Sequence, residues 1–202
     1  MSSVEAAVEA IRAGQPVVIP TDTVYGLACD AEREDAVGRL SELKGRRPGQ
    51  PIALVAASVD RLLESVPELR GAGERIARAL LPGPLTLVLA NPVRRFSWLT
   101  GADPDTIGVR VPVLAGVALE LFERVGVVAA TSANLHGGPD PGRLGEVPAE
   151  ILAGVAAAVD GGALPGRPST VLDLTGAEPR VLREGAVLAE EAVARVTAAL
   201  AE

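Results

Sequence analysis

The sequence is short of the residues that most often carry visible chemistry. Its 202 residues include one cysteine and one histidine, Cys29 and His136. A single cysteine excludes a disulfide scaffold and any zinc or iron–sulfur site built from several thiolates. A single histidine leaves no His-rich metal site and no second imidazole to serve a Ser-His-Asp hydrolase. Four residues are aromatic: Tyr25, Phe96, Trp98 and Phe122. A single-strand nucleic-acid binder that stacks bases on aromatic side chains is therefore short of platforms. No apolar run approaches the ~20 residues of a membrane-spanning helix. The opening MSSVEAAVEAIRAG lacks the basic region and long apolar stretch of a secretory signal. A soluble, cytoplasmic protein with no membrane association is expected.

What is present is aliphatic and acidic. Hydrophobic residues make up 48% of the chain and the formal charge is −7. The core must be built from Val, Leu, Ile and Ala, and the charge argues against a wholly basic duplex binder. The length and the absence of linker-like stretches or repeats indicate one domain over residues 1–202.

Hydrophobic periodicity places the elements. Ser2 to Ala13 carries Val4, Ala7, Val8 and Ile11 on one helical face, with Ser2 and Glu5 spaced as a capping box and Gly14 as a stop. PVVIP (Pro16–Pro20) and Val24–Cys29 read as strands around a polar turn. Glu32–Lys44 reads as a helix, Pro51–Ala57 as a strand, and a helix starts at Ser58. Another helix, Glu74–Leu81, is stopped by Pro82-Gly83-Pro84. Leu85–Ala90 and Thr106–Val111 read as strands, Val113–Arg124 as a helix, and Gly126–Ala130 as a strand. Gly137–Pro148 is a Gly/Pro-rich loop. Short strands are expected near Ala156–Asp160, Thr170–Leu174, Val181–Leu182 and Val187–Leu188, then a helix over Glu190–Leu200. Mixed strands and helices with short links predict an α/β architecture.

Polar clusters recur at the ends of apolar strands, where open α/β sheets commonly bind ligands. The first, PTDTVYGL (Pro20–Leu27), offers hydroxyls and a carboxylate, although Asp and Thr are also ordinary turn residues. The second, KGRRP (Lys44–Pro48), sits at a helix C-terminus. Basic residues there suit the helix dipole, and Lys44 and Arg46 could equally converge on a polyphosphate. In the third, GVRVP (Gly108–Pro112), alternation sets Arg110 on the face opposite its valines. A buried guanidinium needs an anion, either an internal carboxylate or one from a substrate.

TSAN (Thr131–Asn134) with His136-Gly137-Gly138-Pro139 is the fourth cluster, and it matches neither a P-loop nor a Rossmann fingerprint. Ser132 is not in G-x-S-x-G, and His136 reads as a loop residue rather than a general base. PSTV (Pro168–Val171), followed by Arg183-Glu184-Gly185, is the fifth. Cys29, within an apolar strand, reads as core rather than nucleophile.

In this order PTDTVYGL, KGRRP, PGPLTLVL, GVRVP, TSAN and PSTVLDL…VLREGA resemble the YrdC/Sua5 family of threonylcarbamoyl-AMP synthases, from about Gly14 to Ala186. The length resembles the short, single-domain form. The resemblance implies a YrdC-like fold, a twisted mixed sheet with flanking helices around a large open, positively lined cavity. It also implies an ATP-dependent nucleotidyltransferase that joins L-threonine, bicarbonate and ATP into threonylcarbamoyl-adenylate and releases pyrophosphate. A partner transferase complex then modifies adenosine 37 of tRNA (t6A), and weak direct contact with tRNA is among the interactions the resemblance suggests. By position in the motifs, Thr21, Arg110 and Ser169 would hold threonine. Lys44 and Arg46 would hold the ATP phosphates and carry catalysis, and Ser132, Asn134 and Arg183 would complete the nucleotide site. Mg²⁺ would arrive with ATP, without a protein cage.

Carboxylated threonine already carries its nucleophilic oxygen. The reaction therefore needs placement and cations more than a strong base. Two positions depart from the family: Asp140 stands where a hydroxyl residue is frequent and is left out of the site, and Leu54 replaces a histidine of long relatives. Two other readings compete. One is an RNA-binding module using Lys44–Arg47 and Arg94–Arg95. The other is a related carbamoyl-adenylate-forming enzyme. A lysine at a helix end is worth little structurally, so Lys44→Ala is expected to lower turnover far more than stability.

Overall fold

Alternation along the strands decides where everything else sits. The computed structural model describes residues 3–47 and 49–201. Ser2, expected to cap the first helix, and Pro48 of KGRRP lie outside the described residues. The elements run α1 (Ser3–Arg12), β1 (Val17–Ile19), β2 (Gly26–Cys29), α2 (Glu34–Lys44), β3 (Ala53–Ala56), α3 (Val59–Ser65), α4 (Ala72–Leu80), β4 (Leu85–Ala90) and β5 (Thr106–Arg110). They continue with α5 (Gly116–Val125), β6 (Val127–Ser132), α6 (Ala149–Gly154), β7 (Ala157–Ala158), β8 (Thr170–Asp173), β9 (Arg180–Arg183) and α7 (Ala189–Ala201). Among the described residues these strands form one mixed sheet in the order β7-β1-β2-β6-β3-β5-β4-β8-β9. Pairs β1/β7, β3/β5 and β4/β8 are parallel and the others antiparallel.

One face of this sheet is leucine-rich. Leu27, Leu54, Leu85, Leu87, Val109 and Leu172 pack there with residues of α2, α3, α4 and α7, among them Leu40, Leu62, Ala77 and Val196. Each such leucine removed from water is worth ~1.5–3 kcal/mol. The opposite face is covered over only part of its width. Val17, Ile19, Ala28, Val55, Val128 and Ala130 pack on Val4, Val8 and Ile11 of α1 and Leu121 and Phe122 of α5. Beyond these two helices the face carries Thr86, Val88, Thr106, Gly108, Arg110, Val171 and Asp173, and it opens into a cavity.

The helices follow the periodic pattern closely. α1 buries Val4, Ala7, Val8 and Ile11 as expected. Ser58 caps α3 by accepting the Arg61 N–H at 3.1 Å. Three expectations are corrected. Helix α5 starts at Gly116, not Val113, because the backbone is still extended at Ala115 (φ −148°, ψ 160°), while the Val113 N–H donates to the Asp22 carboxylate at 3.0 Å. Val187–Leu188 forms a bend and not a strand. Thr170 Oγ1 accepts the Gly185 and Val187 N–H groups and donates to the Val187 carbonyl, so a buried side chain does the work of a neighbouring strand. Helix α6 arises directly after the Gly/Pro-rich loop, in a stretch where sequence gave no helix expectation.

The turn after β9 runs hard against the segment before β8. The Ala186 N–H donates to the Pro168 carbonyl at 2.7 Å, and a Cβ placed on Gly185 would lie 2.6 Å from the Ser169 carbonyl carbon. Backbone cannot yield as a flexible side chain does, so Gly185→Ala should destabilise the chain by about 1–3 kcal/mol. Chemical denaturation checks this, and an unchanged midpoint would show that the two segments are not locked together.

Candidate active site

Strand ends and the loops that join them build the cavity, whose volume is about 620 Å³. Helix α2 delivers the first cations. Gly45 ends the helix in the left-handed region (φ 66°). The Gly45 and Arg46 N–H groups return to the carbonyls of Glu42 and Ser41, closing a glycine cap. Chain direction reverses there, and Arg46 turns to the cavity while Lys44 stays behind its wall. Arg46 Nη1 donates to Thr131 Oγ1 at 3.0 Å and Nη2 to the Pro51 carbonyl at 2.6 Å. Burial pushes the Arg46 pKa down from its ordinary value.

Lys44 corrects the picture of a solvated helix-end cation, for it is only 4% exposed. Its Nζ donates to the Ser132 carbonyl (2.5 Å), Asn134 Oδ1 (2.6 Å) and the Asn134 carbonyl (3.0 Å), and lies 3.3 Å from Ser132 Oγ. Asn134 in turn accepts the Ser132 hydroxyl at 2.6 Å and donates to the Gly138 carbonyl at 2.5 Å. Lysine and asparagine therefore pin the end of β6. Burial brings the Lys44 pKa down to about 8, helped by the nearby Arg46 charge and opposed by Asp140. Asp140 does not line the cavity, yet its charge supports the buried ammonium.

Arg110 is 8% exposed, on the face opposite Val109 and Val111 as alternation required. Its Nη2 pairs with Asp22 and donates to Thr23 Oγ1 at 2.7 Å. The internal carboxylate is thus present, and it ties the loop 20–25 across the sheet to the end of β5. Among the described residues only two buried side-chain nitrogens or oxygens lack a hydrogen-bond partner: Nε of Arg110 and Nε of Arg46. On the far wall Ser169 Oγ and Thr86 Oγ1 are 2.7 Å apart. Arg183 Nη2 donates to the Ser169 carbonyl at 2.8 Å. Thr21 Oγ1 donates to the Val24 carbonyl at 2.8 Å, fixing its own turn.

Thr21, Arg46, Arg110, Ser132, Ser169 and Arg183 all line the one cavity, whereas Lys44 and Asn134 do not. Sequence reasoning missed Thr86 and Thr131 as lining residues, and missed that Asp22 is the partner of Arg110. Thr86 had a usable signal, since a hydroxyl amid leucines in a strand marks a change of face. His136 is exposed, Cys29 is buried with its thiol pushed up to about 12 by burial, and Leu54 packs in the core. The basic segments considered for RNA are largely engaged: Arg94 pairs with Asp105 and Arg95 with Glu68. No helix among the described residues is long and apolar enough to cross a membrane.

Residues 9–185 match the model of the Sua5, YciO and YrdC proteins, described as telomere recombination. The chain belongs to this family. A Mycobacterium tuberculosis protein named for threonylcarbamoyl-AMP synthase is 42% identical over 188 residues, covering 91% of this chain and 84% of the relative. The Pyrococcus abyssi threonylcarbamoyl-AMP synthase is 39% identical over 184 residues, or 90% of this chain and 53% of that protein. The crystal structure of P. abyssi Sua5 complexed with L-threonine superposes with a TM-score of 0.81 at 35% identity. The superposition covers 96% of this chain and 58% of that one. This chain thus spans little more than half of the P. abyssi protein. The mixed sheet with flanking helices is the fold that the resemblance implied.

Lys44 yields a prediction with a definite sign. Its folded pKa, about 8, lies below the ordinary lysine value of 10.5. Between those values the unfolded chain holds more protons, so the residue's contribution to stability rises with pH across that window. Unfolding free energies of the unchanged chain and Lys44→Met should therefore diverge from pH 7.5 to pH 9.5, in favour of the unchanged chain. A constant difference would remove the depressed pKa. Lys44→Ala, contrary to the sequence expectation, should also cost about 2 kcal/mol of stability, because it strands buried acceptors.

Proposed function

We propose that this chain forms L-threonylcarbamoyl-adenylate from L-threonine, bicarbonate and ATP, with release of pyrophosphate. The product would pass to a transferase complex that modifies adenosine 37 of tRNA. The observation that carries this reading is that two guanidinium groups, Arg46 and Arg110, line one cavity, and that Arg46 bonds only the neutral oxygens of Thr131 and Pro51. Two cationic groups at one cavity call for anions, and the reaction brings two anions together. Membership of a family whose relatives carry the synthase name supports the same conclusion.

The roles follow from position. Arg110, Thr21 and Ser169 would hold threonine, with the forked guanidinium suited to its carboxylate. Arg46, Ser132 and Arg183 would face the nucleotide, and Lys44 with Asn134 would hold the Ser132 end of β6 in place. A carboxylate oxygen of N-carboxythreonine attacks the α-phosphorus. A phosphorus–oxygen bond forms, the bond to the β-phosphate bridging oxygen breaks, and pyrophosphate leaves with that electron pair. No proton has to be removed from the attacking oxygen, so a site without a histidine is sufficient. Cations that meet charge as it builds on the leaving group supply the acceleration.

Mg²⁺ would enter bound to the ATP phosphates. The carboxylates lining the cavity are Asp103 and Asp173, and Asp173 is already held by Arg180 and Thr175. No three acidic, histidine or cysteine side chains converge among the described residues. That donor set fits a cation carried by phosphate and water.

Pyrophosphate release from ATP should require both L-threonine and bicarbonate, and threonine-independent release would overturn the assignment. Within it, Arg46→Ala should lower kcat/KM by about 10² or more, the cost typical of a lost oxyanion donor. Arg110→Ala should act mainly on the KM for threonine. Steady-state kinetics with each substrate varied separates the two.

A further inference from the structure

The hydroxyl pair on the far wall can be ordered in two ways, and the role proposed for Ser169 selects one of them. Thr86 and Ser169 are both buried, 8% and 3% exposed, and both line the cavity. Their Oγ atoms lie 2.7 Å apart, and either could be the donor. Arg183 Nη2 stands 3.3 Å from Ser169 Oγ and can only donate, which occupies one lone pair of the serine. Thr86 Oγ1 makes no other hydrogen bond among the described residues.

Whichever hydroxyl donates, the proton of the other is left without a protein acceptor, so the order is chosen by which of them meets the ligand, and in the proposed function that is Ser169. If Thr86 donates, its proton is satisfied and both Ser169 lone pairs are filled. The serine proton is then left to point at an acceptor in the cavity. A ligand oxygen there completes a one-way chain, Thr86 to Ser169 to ligand, in which each bond strengthens the next.

We propose that Thr86 is a positioning residue that sets Ser169 as a hydrogen-bond donor toward an acceptor oxygen of the amino-acid substrate. The inference rests on the proposed function, in which Ser169 holds threonine. Thr86 acts through Ser169 and does not itself carry the reaction. Its β-branched shape suits strand β4, so valine replaces it with the same volume and without the hydroxyl.

The test is a double-mutant cycle read by the KM for L-threonine. Thr86→Val should raise that KM about tenfold, with kcat within about twofold of the unchanged chain. Thr86→Ser, which keeps the hydroxyl, should restore most of the affinity. In a Ser169→Ala background, Thr86→Val should have no further effect, because the serine through which it acts is gone. A purely structural role would instead lower stability in both backgrounds and multiply the two effects. Unchanged KM in Thr86→Val, multiplying effects, or failure of Thr86→Ser to recover affinity overturns the inference. Absence of threonine-dependent turnover in the unchanged chain would instead overturn the functional reading on which it rests.

Discussion

Unequal coverage of the sheet is the constraint on which the rest of the structure depends. A strand sends its side chains alternately to two faces, and both faces must be satisfied. Here the leucine face is packed along its length by helices, so the strands are held from one side. That frees half of the other face from any need to bury apolar surface. Where α1 and α5 end, the lining turns to Gly26, Ala53, Gly108 and hydroxyl residues, which leave room and supply polar contacts. A hydrophobic residue at those positions would demand a helix to cover it, and the cavity would close.

Cations in such a cavity carry a desolvation cost that must be met. Arg110 meets it with Asp22 and Thr23, and Arg46 with Thr131 and the Pro51 carbonyl. Each compensation is partial, leaving one Nε unpartnered. The internal carboxylate therefore does not compete with a binding role for Arg110. It holds one edge of the guanidinium and ties the loop 20–25 to β5.

Most of the fold was legible because aliphatic periodicity is strong in a chain with few aromatics. α1, β4 and β8 fall within a residue or so of where spacing placed them. Two of the misses lie at long-range hydrogen bonds that no local pattern encodes. Val187 bends because Thr170 reaches it across 17 positions, and α5 starts late because the backbone stays extended to Ala115, beyond the Asp22 contact to the Val113 amide. At the site, residue types could be read from the motifs, yet which side of the wall each occupied could not. Lys44 and Arg46 differ by two positions, and a single left-handed glycine sends one behind the wall and the other into the cavity.

That division also gives the net charge of −7 a finer sense. Of the three basic residues in KGRRP, Lys44 serves the interior, Arg46 serves the cavity and Arg47 is exposed. The paired Arg94 and Arg95 add little positive field, being matched by Asp105 and Glu68. Arg46, Arg110 and Arg183, by contrast, all line the cavity. A small anion that enters meets these cations at short range, where the lower dielectric of a partly enclosed site strengthens the attraction. Local placement, not net charge, is therefore what suits an acidic chain to an anionic ligand.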